Sequence, residues 1–400
     1  MIFLTLVKTP ICENTEGVIT PLKIAVNTRF LLKNQLEGIG RFTFETFRRL
    51  ATTHPEHEFI FFFDRPFDAS FIFSSNVTSV VLFPPARHPF LFIWWFEWSV
   101  ARALKKYQAD IFISPDNFLS LSTSTPTLLV VHDIAFAHFV DNDKFINRLY
   151  YKYFMPRFLK QANRIITVSE FTKQDIINYY KINPSKIAVC YNGCREEFKP
   201  INAREKEGIL NQNAHYTEGV RYFLYVGAVH PRKNVHRLIE AFDAFKKQHN
   251  TPFKLLICGR FAWQTGEVKT AFDKADYQKD IIFTGYVSDE VVVRLTAAAQ
   301  AFVYVSNFEG FGIPILEAMH CDVPVITSNT SSMPEVAGDA ALLVNPESVE
   351  EITNALSQLA FDKNLRQHLI EKGRIQRSKF SWKKTAAIIY DNILKTVVNN

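Results

Sequence analysis

A chain of 400 residues, 47% apolar and 22% charged, has ample material for a core and is long enough for two domains. Its net charge of +6 suits an anionic small ligand or an anionic surface, and the absence of helix-turn-helix, zinc-ligand and RNA-binding aromatic patterns argues against nucleic acid. No run reaches the ~18–20 apolar residues of a membrane span, and residues 1–7 are too short for a secretory signal, so a cytoplasmic protein is expected.

The polar stretch 8–21 reads as an extension. Lys23–Asn27 is the first expected strand, and a helix runs from near Gly40 to about Thr53. Glu58–Phe63 and Ser79–Phe83 are further strands. Residues 89–107 look helical and end in Lys105-Lys106. Strands at Ile111–Ser114 and Thr127–His132 precede a helix at Arg148–Gln161. A strand at Arg164–Ser169, a helix at Glu170–Tyr180 and a strand at Lys186–Val189 close this half. Short apolar strands alternating with helices imply an α/β domain built on a parallel sheet. Residues 195–219 are polar, contain Pro200, Gly208 and Gly219, and are the best linker candidate.

The alternation restarts with strands at Tyr222–Gly227, Lys254–Gly259, Ile281–Thr284, Ala301–Ser306, Val323–Thr327 and Ala341–Val344. Helices are expected at Asn234–His249, Gly312–His320 and from about Trp382. Ser348-Val349-Glu350-Glu351 reads as a capping box. Two doubly wound domains in tandem follow, and such sheets bind ligands at the carboxyl ends of their strands. The cleft between two facing sheets is therefore the expected site. Cysteines at 12, 190, 194, 258 and 321 match no zinc or CxxC spacing and read as free thiols.

The strongest local signal is Ser306-Asn307-Phe308-Glu309-Gly310-Phe311-Gly312-Ile313-Pro314-Ile315-Leu316-Glu317. It leaves a strand and enters a helix. Its glycines let backbone approach a ligand, the helix start favours an anion such as a diphosphate, and a carboxylate accepts both hydroxyls of a vicinal diol. Two solvated glutamates flanking a turn are the alternative. Seven residues separate Glu309 from Glu317. This Glu-x7-Glu stretch with Gly-Phe-Gly-x-Pro inside it resembles the donor site of the family 4 retaining glycosyltransferases. The resemblance extends from about residue 22 to 390 and includes bacterial polysaccharide mannosyltransferases.

Other segments fit in order. Val226-Gly227-Ala228-Val229-His230-Pro231-Arg232-Lys233-Asn234 is a strand, loop and helix start where two cations could meet a diphosphate. The resemblance implies phosphate contact by Lys233; many members carry Arg where Ala228 stands, and Arg232 is the available substitute. Val130-Val131-His132-Asp133 ends a strand, and the resemblance places His132 beside the transferred sugar, with Asp133 next to it among the acceptor or diphosphate-loop residues. A packed core histidine is the plain alternative. Gly38-Ile39-Gly40-Arg41 lacks the third glycine of a nicotinamide fingerprint, since Thr43 stands there; the resemblance makes it a diphosphate or acceptor loop. Gly285, Tyr286 and Val287 resemble the segment that reads the nucleobase. Val168-Ser169-Glu170-Phe171 and Tyr191-Asn192-Gly193 resemble segments closing the first domain. Arg260, in Cys258-Gly259-Arg260-Phe261-Ala262-Trp263, is a further phosphate candidate. Asp141-Asn142-Asp143 has a metal-binding form known from a different fold but reads as a turn here, so no metal ligand is assigned.

The resemblance implies an α/β GT-B fold of two tandem doubly wound Rossmann-like domains facing a central cleft. The expected bounds are 22–195 on the acceptor side, 220–380 for the nucleotide sugar, and 381–400 as a C-terminal helix that could pack back on the first domain. Glu309, Lys233 and His132 are the expected catalytic groups. Arg232, Lys233, Gly285, Tyr286, Val287, Glu309, Gly310, Phe311, Gly312 and Glu317 would bind the donor, with Glu309 on the sugar and Glu317 on the ribose. No cofactor is implied; the substrate is a GDP- or UDP-linked sugar, mannose first, and the acceptor a saccharide or lipid-linked saccharide. A nucleotide-sugar epimerase and a non-catalytic binding homologue are the alternatives. The run Phe90–Phe96 with Trp94, Trp95 and Trp98, beside Arg102, Lys105 and Lys106, reads as core or as peripheral contact with the inner membrane surface.

Overall fold

The computed structural model describes residues 20–33, 36–86, 88–139, 145–260 and 266–398. Cys12, most of the 8–21 extension, Asp141-Asn142-Asp143 and Phe261–Trp263 lie outside the described residues.

The first sheet holds seven strands: β1 (Lys23–Asn27), β2 (Glu58–Phe63), β3 (Val77–Val81), β4 (Ile111–Ser114), β5 (Thr127–Val131), β6 (Arg164–Thr167) and β7 (Ile187–Val189). Their order is β3-β2-β1-β4-β5-β6-β7. The second holds β8 (Tyr222–Val226), β9 (Lys254–Cys258), β10 (Ile281–Gly285), β11 (Ala301–Tyr304), β12 (Val325–Ser328) and β13 (Ala341–Val344), in the order β10-β9-β8-β11-β12-β13. Pairing is parallel, for example Val26 opposite Phe61 and Tyr225 opposite Ile257. Strands covered by helices on both faces read as unbroken apolar runs, and Phe59–Phe63 are all buried. Each order reverses once, between β1 and β4 and between β8 and β11. Crossovers leave those two neighbours in opposite directions and open a crevice at their carboxyl ends.

The third strand lies two residues earlier than its composition suggests. Leu82 N–H still donates to the Phe63 carbonyl, but Pro84 and Pro85 have no N–H with which to extend the ladder. The linker candidate is largely helical. Asn202 caps the helix Ala203–Gln212 and Glu205 returns the bond, a complete capping box. The box expected at Ser348 is half formed: Ser348 accepts from Glu351 N–H, while the Glu351 carboxylate takes the Asn345 N–H. Gly208 sits inside the first of these helices with open space where a Cβ would stand. Gly208→Ala should therefore raise stability by roughly 0.5–1 kcal/mol, read as a higher urea midpoint at unchanged m-value.

Two compact units divide the chain. One comprises residues up to Val130, Tyr153–Ile166 and the chain from Ala386; the other comprises Val131–Lys152 and Thr167–Thr385. In the first unit, Tyr390 of the last helix hydrogen-bonds His57 Nε2 at 2.9 Å and stacks on His54 at 3.6 Å. His57 Nδ1 accepts the Leu22 N–H.

At the reversal of the first sheet, Asp116 is almost fully buried and pairs with buried Arg29. Its carboxylate also accepts from Asn27, Ser114 and the Phe118 N–H. The guanidinium lies 4.2–5.5 Å from the rings of Phe30, Phe92, Phe96 and Phe118. Removing one partner of such a pair strands a buried charge. Asp116→Ala should cost roughly 3–5 kcal/mol in urea unfolding; a loss below 1 kcal/mol would show the pair to be dispensable.

No helix among the described residues is long and apolar enough to cross a membrane.

Candidate active site

In the second unit, β8 and β11 deliver the two chain segments that matter most. After β8 the chain turns through Pro231–Lys233 into the helix Val235–His249. After β11 it passes Asn307 and enters the helix Ile313–His320 at Gly312, whose φ of +95° only glycine adopts without strain. The segments are tied together: Asn307 N–H donates to the Arg232 carbonyl at 2.9 Å, and Asn234 Nδ2 donates to the Val305 and Pro346 carbonyls at 3.0 and 2.7 Å. This brings Lys233 to Glu309. The ammonium donates to Glu309 Oε1 at 2.6 Å and to the Tyr304 hydroxyl at 2.8 Å. Arg232 donates to the Phe308 carbonyl at 2.6 Å and reaches Glu309 Oε2 at 3.4 Å.

Burial alone would push the Glu309 carboxyl up, but Lys233 and Arg232 outweigh it and hold the group below its usual range. Burial pulls the Lys233 ammonium down, and Glu309 offsets part of that. At neutral pH the site is an ionised carboxylate between two cations. Among the described residues, two of the three N–H donors of the ammonium go to Glu309 and Tyr304. Asp133 adds negative charge near both cations.

Gly310 brings the next element in. A Cβ there would lie 2.0 Å from the His132 carbonyl oxygen and 3.0 Å from Asp133 Cβ, so only glycine lets the two backbones meet. Ser169 donates to the Gly310 carbonyl at 2.6 Å, and Thr172 reaches the Gly310 and His132 carbonyls at 3.3 Å each. The Asp133 carboxylate accepts the Ala135 N–H. The structure thus gathers His132, Asp133, Arg232, Lys233, Glu309 and Gly310.

The other expected residues lie around this cluster or apart from it. Glu317 is buried on the helix that starts after Phe311 and Gly312, and its Oε1 accepts from Arg195 Nε at 3.2 Å. Arg195 also binds Asp289 at 2.7 Å. Gly285 ends β10; Tyr286 is 60% exposed beside half-buried Val287. The Arg260 side chain is exposed, as is Ala228. Gly38, Gly40 and Arg41 belong to the first unit, in the first turn of its helix Gly38–Thr53. There Gly40 abuts the Phe30 carbonyl, which a Cβ would approach to 2.5 Å.

Glu335 escaped the sequence reading. Its carboxylate accepts the Glu170 and Phe171 N–H groups at 2.8 and 3.1 Å and the Tyr191 hydroxyl at 2.7 Å. It satisfies the start of the helix Glu170–Tyr180, where a negative charge is favoured. The Ser-Ser-Met-Pro-Glu run at 331–335 was the available hint, since Pro followed by Glu marks a helix start. Arg195 and Tyr304 carried no local signal: one sits in a charged stretch and the other in an apolar strand.

Two family models match this chain: Glycosyltransferase Family 4 over residues 36–198 and Glycosyl transferases group 1 over residues 209–376. O-antigen chain mannosyltransferase B of Escherichia coli is 30% identical over 369 residues, covering 88% of this chain and 94% of that one. The chain belongs to the family 4 glycosyltransferases. This glycosyltransferase is also 31% identical over 232 residues to O-antigen chain mannosyltransferase RfbU of Salmonella typhimurium, covering 58% of this chain and 60% of that one. Sucrose-phosphate synthase of Thermosynechococcus elongatus superposes with a TM-score of 0.75 at 17% identity, covering 95% of this chain and all of the other. The fold is GT-B, with a parallel sheet in each Rossmann-like domain.

Proposed function

We propose that the enzyme transfers mannose from GDP-mannose to a saccharide acceptor in cell-surface polysaccharide synthesis, with retention at the anomeric carbon and in the cytoplasm. The Lys233–Glu309–Arg232 cluster at the reversal of the second sheet, with His132 brought against it through Gly310, carries this reading. The likeness to O-antigen mannosyltransferases supports the choice of sugar and pathway class.

In this scheme Lys233 and Arg232 take up charge on the leaving diphosphate as the bond from the anomeric carbon to phosphate oxygen breaks. The electron pair leaves with the diphosphate. The acceptor hydroxyl attacks from the same face, and its proton passes to the departing phosphate oxygen. Glu309 accepts from hydroxyls of the transferred sugar, His132 holds the sugar from the adjoining strand end, and Glu317 accepts from the ribose hydroxyls after exchanging its bond to Arg195. Gly285, Tyr286 and Val287 meet the base. No cofactor takes part, and no metal ligand is assigned.

A thermal-shift series with GDP, UDP and their sugars tests the donor. A ligand at one hundred times its Kd stabilises by about 2.7 kcal/mol. GDP and GDP-mannose should raise Tm by several degrees and UDP by much less. A larger shift with UDP-hexoses would move the donor to UDP; no shift with any nucleotide would overturn the reading. Donor incubated without acceptor should remain unconverted, whereas an epimerase would change its sugar. NMR of the product, read at the anomeric proton, tests retention.

A further inference from the structure

Three cations converge at the amino ends of the second sheet, the ends away from Lys233 and Glu309. Lys206, on the helix Ala203–Gln212, donates to the Ala299 carbonyl at 3.0 Å, just before β11 begins. Arg366, on the helix Lys363–Arg377, donates through Nη1 to the Leu359 and Ala360 carbonyls at 3.0 and 3.1 Å. Gln300 donates to the same two carbonyls at 3.2 and 3.5 Å, which sets Arg366 beside the residue that follows Ala299. Arg221 precedes β8, the strand next to β11, and the Gln300 N–H donates to the carbonyl of its neighbour Tyr222. The exposed Arg221 guanidinium lies 5.0 Å over the Phe253 ring, and its charge is felt by both other cations.

Charges held out of water normally have a partner of opposite sign. Lys206 and Arg366 are half-buried, yet among the described residues no carboxylate pairs with either, or with Arg221. The acids within a few residues of them are engaged elsewhere. Glu205 accepts the Asn202 N–H, Glu218 pairs with Lys254 at 2.6 Å, and Asp362 accepts the Leu365 N–H. Glu207 is exposed and makes no ion pair with Lys206. Burial, followed by the charges of Arg366 and Arg221, pushes the Lys206 ammonium down to about 8. Burial and then Arg221 also pull Arg366 down. Like charges gathered in this way repel one another, and an anion set among the three relieves the repulsion. Among the described residues, one of the three ammonium donors of Lys206 is engaged, and Arg366 bonds through Nη1 alone. Two guanidinium forks and an ammonium match the several oxygens and double charge of a phosphate group.

We propose that Lys206, Arg221 and Arg366 form a phosphate-binding site apart from the donor site, open to solvent at Arg221, that takes the phosphate group of a small anion. The site is independent of which nucleotide the donor carries.

The test reads Lys206 itself, so phosphate bound near Lys233 does not enter the result. The full chain is acetylated with limiting acetic anhydride, and the peptide containing Lys206 is followed by mass spectrometry. Inorganic phosphate, pyrophosphate and glycerol phosphate are compared with sodium chloride at equal ionic strength. A ligand at roughly ten times its Kd should slow acetylation of Lys206 about tenfold and leave exposed Lys105 unaffected. Arg221→Gln should weaken the apparent affinity by about tenfold, and Arg221→Lys should keep most of it. Arg221 is exposed, so circular dichroism and Tm without phosphate should match the native chain. Protection by inorganic phosphate or pyrophosphate alone would identify an inorganic ligand, and protection by glycerol phosphate as well would identify a phosphorylated metabolite. Failure of all three to protect Lys206 would overturn the proposal. So would equal protection by chloride, or full protection in Arg221→Gln.

Discussion

The Glu309→Gln variant should turn over about 10²–10³ times more slowly than the native enzyme while keeping its fold. The amide keeps the shape of the carboxylate and can still accept from Lys233, so the two cations retain a partner. What it loses is the charge that orients Lys233 and accepts from sugar hydroxyls. Glu309→Ala differs in kind. It leaves Lys233 and Arg232 facing a void in a site where Glu309 is 7% exposed, and it should add roughly 3–5 kcal/mol of destabilisation to the loss of activity. Comparing the two variants in steady-state kinetics and urea unfolding separates the roles. Native turnover by Glu309→Gln would sink the assignment; equal stability of Glu309→Ala would show that the cations do not depend on the carboxylate.

Glu309 also sets a pH dependence. Its folded carboxyl lies below its usual range, because Lys233 and Arg232 overcome the upward push of burial. A depressed carboxylate contributes stability above its unfolded value of about 4.3 and loses it as pH falls through the lower folded value. The acid limb of native stability should therefore be steeper than that of Glu309→Gln. Superimposable urea midpoints of the two proteins between about pH 3 and 6 would contradict the ion pair.

Gly310→Ala should abolish most activity and cost about 3 kcal/mol, the upper end of ordinary overpacking. Its methyl would have to enter at 2.0 Å from the His132 carbonyl oxygen, which is backbone and cannot rotate away. Separation would also stretch the bonds from Ser169 and Thr172 to the Gly310 carbonyl. The effect should fall on kcat more than on nucleotide affinity, since Lys233 sits on the other segment and Glu317 lies further on, inside the helix Ile313–His320. Native kinetics from Gly310→Ala would show that the His132 strand end need not touch this loop during turnover.

The strands were legible because each is a short apolar run, and a strand buried on both faces can be little else. The helical part of 195–219 was not: polar, charged residues describe a solvated helix as well as a linker, and Asn202 with Glu205 was the overlooked sign. At Ser348 the reverse occurred. The residues of a capping box are present, but Glu351 finds the Asn345 N–H instead, and no local pattern records that competition.

Glu309 shows how far each level reaches. The neighbouring residues alone place a glutamate between a strand and a helix, beside two glycines and eight positions before Glu317, because strand, turn and helix start are all local patterns. Long-range packing sets its carboxylate between Lys233 and Arg232, brings Arg195 to Glu317, and lets Glu335 cap a helix begun 165 residues earlier. Those partners meet through strand order and through the close approach at Gly310, and a charge pair between distant residues leaves no periodicity in the chain that carries it.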